Sequence, residues 1–228
     1  MNIPSIDRIN VPENWEEGAN DLKQPAAIPE SLSAYFRQPY TIFNLLWILY
    51  LSYLTIVVAT DYQTISGRYH LPFALIAMDM VDLFIHEAGH FFFSLFGQII
   101  YFMGGSLFQI ILPVATSIVF ARSSVRSMSF TLFWIGESIV NVSIYIADAP
   151  YKRLHLISRH ATHDWNWLSI RLGILNDAET ISSIVNFIGI LTCIGAIIVG
   201  VYCIIKDILD VQTSAKIYRK KTVPGIHR

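Results

Sequence analysis

Residues 71–96 read LPFALIAMDMVDLFIHEAGHFFFSLF, and the reading of this stretch decides the fold. A helix needs roughly 20 mostly apolar residues to cross a bilayer, and this run supplies them. Yet it also carries Asp79, Asp82, His86, Glu87 and His90. At 100° per residue, Asp79, Asp82, His86 and His90 fall within about 80° of one another on a helix. Glu87 flanks that stripe, and the remaining surface is Leu, Ile, Val, Met and Phe. Ionisable groups within a membrane-length apolar run are costly; they face the bundle interior and mark a site of function. His86-Glu87-Ala88-Gly89-His90 is an HExxH motif. Positions i and i+4 lie on one face of a helix, so both imidazoles can bind the same ion, with Zn2+ the first expectation. Glu87, one step round, can reach a water on that ion and act as general base.

The rest of the chain agrees with a membrane setting. Of 228 residues, 54% are hydrophobic and 14% charged, with a mean hydropathy of +0.48. A soluble domain carries about 25% charged residues, so the expected fold is an all-α, polytopic membrane helix bundle. The net charge of −1 gives no reason to invoke nucleic acid. Cys193 and Cys203 both lie in the last apolar run and read as ordinary apolar filler. No secretory signal is visible, so the first span is expected to serve as its own insertion signal.

Residues 1–38 hold six acids and three bases among several prolines and read as a polar, solvated arm. Residues 39–205 read as the membrane-embedded domain, with about five transmembrane helices over 41–60, 71–96, 106–121, 128–149 and 181–205. Between the second and third, residues 98–105 end in Gly104-Gly105 and suggest a short re-entrant or extended piece; a bared strand edge there would hold an extended peptide. Residues 206–228 form a basic tail with Lys216, Arg219, Lys220 and Lys221, which the positive-inside rule assigns to the cytoplasm.

The fourth span bears a second polar stripe. Glu137, Asn141, Tyr145 and Asp148 follow at spacings of four, four and three, and Pro150 ends the helix. Two histidines do not hold a catalytic zinc, because three protein ligands plus a water are typical. Four residues compete for the third place: Glu137 and Asp148 on this helix, and His163 and Asp164 in the 151–179 loop. Otherwise the His163-Asp164-Trp165 triplet reads as interfacial loop, where Trp sits at headgroup level. Asp82, four residues before His86, is placed to accept the second ring N–H of that histidine, as carboxylates behind metal-bound imidazoles do. Asp79 extends the same supporting stripe.

A membrane helix bearing HExxH, followed by a later helix bearing an Asn and then an Asp, resembles the site-2 protease family of intramembrane zinc metalloproteases. The resemblance covers residues 71–150. It implies that His86 and His90 ligate zinc, that Glu87 is the base, and that Asp148 completes the site. Asn141 would then touch the substrate or the developing oxyanion. The implied activity is hydrolysis of transmembrane or juxtamembrane peptide bonds in a membrane-protein substrate. Departures stand where the family has a Pro near the Asn and a Gly after the Asp: here Ile144 and Ala149 occupy those places. Two other functions compete. His86–His90 with His160–His163 could be the histidine boxes of a di-iron lipid oxidase or desaturase, or the chain could be a membrane adaptor without catalysis.

Overall fold

Backbone N–H and C=O groups in a bilayer have no water to bond, and a helix satisfies them within its own segment. The computed structural model, which describes residues 39–60, 71–154 and 162–222, follows that rule. Among the described residues every regular element is helical. In order they are α1 (Pro39–Thr60), α2 (Phe73–Phe93), a 3-10 turn (Ser94–Phe96), α3 (Gln98–Ser123), α4 (Ser127–Asp148), α5 (Asp164–Leu172), a second 3-10 turn (Leu175–Asp177) and α6 (Ala178–Thr222). One compact unit runs from Pro39 to Lys206. Of the other, Met1–Gln38 with Asp207–Arg228, the described part continues α6 as helix. The expected N-terminal arm lies outside the described residues.

Among the described residues four segments are long and apolar enough to cross a membrane: Thr41–Thr60, Gln98–Arg122, Ser127–Asp148 and Leu175–Thr213. The chain is a multi-pass, all-α membrane helix bundle. Helix α2 has the length of a fifth span, 21 residues, but Asp79, Asp82 and Glu87 set its composition apart from those four.

The re-entrant or extended piece expected at residues 98–105 is not there. Gln98 to Gly105 is the start of α3, so no strand edge is bared. The reversal lies earlier, in the 3-10 turn and at Gly97, whose φ of 90° suits a residue without a Cβ. Gly104 and Gly105 serve close helix contact instead. A Cβ on Gly104 would come 2.7 Å from Phe93 Cβ, and one on Gly89 would overlap the Gly104 carbonyl. Small residues let helix backbones approach this closely, and in lipid such packing takes the place of hydrophobic attraction.

A second glycine contact joins α4 to α6, where Gly136 lies against Gly189 and Cys193. Around it is the apolar core: Leu51, Leu54 and Val58 from α1, Leu75 from α2, Phe133 and Val140 from α4. A Cβ on Gly136 would meet the Cys193 amide nitrogen and the Gly189 carbonyl oxygen, each at 2.7 Å. Both are backbone atoms and cannot swing aside. Gly136→Ala is therefore expected to lower stability by about 1–3 kcal/mol through overpacking, read as an earlier thermal transition of the detergent-solubilised protein. Gly195→Ala, with nothing within 4 Å of its added Cβ, is the neutral control.

Candidate metal centre

Helix α2 turns its polar stripe inward, so that Asp82, His86 and His90 are all buried. The two imidazoles stand one turn apart, with ring centroids 4.9 Å from each other. Each ring has one nitrogen committed to an acceptor. His90 Nδ1 lies 2.8 Å from the Tyr101 carbonyl oxygen, which can only accept, so this nitrogen carries the proton. His86 Nδ1 faces Gln109 Oε1 at 3.3 Å. In both neutral rings the free lone pair is then on Nε2. The two Nε2 atoms point at one carboxylate oxygen, Asp164 Oδ2, at 2.9 Å from His86 and 3.1 Å from His90.

Three acceptor atoms that converge on one point repel unless a cation lies between them. The candidate ligand atoms of His86, His90 and Asp164 all fall within 4.8 Å of one another. Zinc bonds to nitrogen and oxygen of about 2.0–2.1 Å in tetrahedral array require ligand atoms roughly 3.4 Å apart; the two imidazole nitrogens stand 2.9 and 3.1 Å from the carboxylate oxygen. Gly105 supports the fit. A Cβ at that position would stand 2.5 Å from His86 Nε2 and 2.7 Å from His90 Nε2, so only glycine keeps the space over both nitrogens clear. Glu87 is exposed on the neighbouring face of α2, within electrostatic reach of His90 and Tyr145.

The carboxylate beside the histidines thus comes from α5 and not from α4. Asp148, expected to close the set, is buried and bonded elsewhere. It accepts the backbone N–H groups of Arg153 and Leu154 at 2.9 Å and lies 3.1 Å from His163 Nε2. The chain turns after the helix end, and the carboxylate accepts the backbone amides of the residues that follow. His163, another of the alternatives, is turned away from the pair. It caps α5: its Nδ1 accepts the Asn166 N–H and its Nε2–H donates to Asp148. Glu137 is fully buried on α4 and hydrogen-bonds Asp82 instead of facing the histidines.

The supporting residues also differ from expectation. Asp82 does not receive the His86 ring proton, because the Gln109 carboxamide stands between them. Asp82 accepts instead from Gln109 Nε2 at 3.2 Å, Trp134 Nε1 at 2.8 Å and the Ser138 hydroxyl at 2.7 Å. Asn141, expected at substrate, has its amide bonded at both ends: Nδ2 donates to Asp79 at 2.7 Å and Oδ1 accepts from Gln109 at 2.9 Å. Beside His86 opens a cavity of about 430 Å³, whose lining includes Asp79, Met80 and Leu83 from α2 and Asn141, Ile144 and Tyr145 from α4.

Sequence reasoning missed Gln109 and α5. Gln109 could have been found, since with Ser106, Pro113 and Ser117 it makes a small or polar stripe at helical spacing in an otherwise apolar span. Helix α5 is signalled only by its ends, with His163-Asp164 before it and Gly173 after it, where φ is 71°. It is docked by Trp165 Nε1 donating to the Ser106 hydroxyl at 3.0 Å, by Trp167 stacked on Phe102 at 4.2 Å, and by Asn166 Nδ2 donating to the Ala149 carbonyl at 2.7 Å. His160 lies outside the described residues. No family model, curated protein or solved structure matches the chain.

If His163 holds α5 as described, His163→Ala removes both the cap and the bond to Asp148, at a cost of about 1 kcal/mol to that helix. Amide hydrogen exchange over residues 164–168 should then speed up while that of α4 stays slow. Unchanged protection across α5 would show that Trp165, Asn166 and Trp167 secure it without the cap.

Proposed function

We propose that this chain is a membrane-embedded zinc endopeptidase, similar in its chemistry to the site-2 proteases. One observation carries the reading: two imidazole nitrogens, each with the other ring nitrogen bonded elsewhere, and one carboxylate oxygen converge beside an HExxH glutamate inside a membrane bundle. His86, His90 and Asp164 would hold the ion and leave a fourth position open. Zinc, when bound, supplies Lewis acidity toward a carbonyl and makes water acidic enough to ionise near pH 7.

The remaining chemistry belongs to the chain. Glu87 takes the proton from the attacking water and returns it to the leaving amine, a general acid–base contribution of about 10²–10⁴-fold. Gly105 leaves room for the reacting group over the imidazoles. The cavity beside His86, apolar along Met80, Leu83 and Ile144, suits an apolar peptide segment. A helix hides its carbonyls within its own hydrogen bonds, so the substrate must unwind locally before cleavage. It is therefore a membrane span or the edge of one. On the positive-inside rule the basic C-terminal end of α6, with Lys216, Arg219, Lys220 and Lys221, faces the cytoplasm.

The purified protein is expected to carry about one zinc per chain by elemental analysis. Glu87→Gln should retain that zinc while cleavage of a transmembrane reporter falls by about 10²-fold or more. Asp164→Ala should lose the metal and Glu137→Ala should keep it. Two irons per chain would replace this reading with the histidine-box oxidase; full activity in cells carrying Glu87→Gln would replace it with the adaptor.

A further inference from the structure

Gln109 stands at the middle of α3, only 3% exposed, and its carboxamide meets residues of two other helices. Nε2 lies 3.2 Å from Asp82 Oδ2 and 2.9 Å from Asn141 Oδ1, and Oε1 lies 3.3 Å from His86 Nδ1. The amide has one workable orientation. Turned over, its oxygen would face a carboxylate oxygen and an amide oxygen at those distances, acceptor against acceptor. Asn141 has no freedom to adapt, because its own Nδ2 donates to Asp79 Oδ1 at 2.7 Å. Asp82 is held as an acceptor by Trp134 Nε1, a group that can only donate. Donation therefore runs one way along the chain: His86 to Gln109, Gln109 to Asn141 and Asp82, and Asn141 to Asp79.

We propose that Gln109 is a positioning residue that fixes the proton of His86 on Nδ1, with Asp82 and the Asp79–Asn141 pair holding its amide in the required sense. The proposal rests on the reading of His86, His90 and Asp164 as the ion site. Neutral imidazole in water prefers its proton on the nitrogen remote from the backbone, Nε2, and that form would present a hydrogen to the ion in place of a lone pair. Gln109 reverses the preference in advance, so the ion meets a ready donor. His90 reaches the same state by a different route, through the Tyr101 backbone carbonyl. It does not need α4. The two carboxylates Asp79 and Asp82 thus act two bonds away from the ring they serve, and Asn141 belongs to this support and not to the substrate.

The test uses full-length protein in lipid nanodiscs, labelled with 15N-histidine and freed of metal. Long-range 1H–15N correlation at about pH 8, where imidazoles are neutral, distinguishes the two tautomers of each ring. The wild type is expected to show Nδ1–H at both His86 and His90. Gln109→Met should move His86 to the Nε2–H form, leave His90 as it was, and weaken zinc by about 10–100-fold in chelator competition. An Nε2–H form at His86 in the wild type overturns the proposal without any variant. So does an unchanged His86 in Gln109→Met, or an equal change at both rings. The tautomers are read without metal, so a wild type that shows them yet binds no zinc would sink the functional reading and leave this one standing.

Discussion

A polar atom inside a lipid-surrounded bundle has no water to fall back on, so each one around His86 draws its partner from another helix. That constraint orders the site. Trp134 and Ser138 reach from α4 to Asp82 on α2, Gln109 reaches from α3 to both, and Asn141 reaches from α4 to Asp79. Apolar packing between membrane helices tolerates sliding and rotation, since lipid is as apolar as leucine. A buried carboxamide with both ends matched does not, because a slip of one residue would leave donors and acceptors unpaired at a cost of about 1–3 kcal/mol each. The glycines at 89, 104 and 105 let α2 and α3 come close enough for these short side chains to meet.

The two aspartates that sequence alone could not separate have different work. Asp148 caps the turn after α4 and anchors His163; Asp164, sixteen residues on, is carried to the histidines by the helix that His163 caps. The pair forms a sequence of dependence, with the first setting the position from which the second acts. It also explains why no residue of α4 is needed at the histidines. Glu137 and Asn141, on the inward stripe of that helix, are engaged with Asp82, Asp79 and Gln109.

Much of this was legible from sequence where periodicity and burial speak together. Helices α1, α4 and α6 follow from apolar runs of membrane length, and the inward stripe of α2 follows from the 100° rule applied to Asp79, Asp82, His86 and His90. What was not legible depends on contacts across helices. Gly104-Gly105 reads as a break in isolation, because a glycine pair weakens a helix by propensity; the neighbouring Phe93, His86 and His90 make it a packing surface. Asp82 stands four residues before His86, and spacing suggests a direct bond. Gln109, on another helix and 27 residues further along the chain, intervenes. Asp164 could be offered as one of four alternatives but not chosen, since nothing local reveals that a nine-residue helix follows it and docks on α3.

The distance in sequence between the converging atoms has a consequence of its own. His90 and Asp164 are 74 residues apart, and α3 and α4 lie between them. An ion gripping both would be a cross-link closing that loop, comparable in kind to a disulfide. It would restrict the unfolded chain far more than the folded one, and the closure entropy of a loop grows only as the logarithm of its length. Ion binding and assembly of α2 to α5 would then be one equilibrium: a chelator would loosen the bundle, and a cell short of the metal would hold the chain in a form readily cleared by its quality-control proteases.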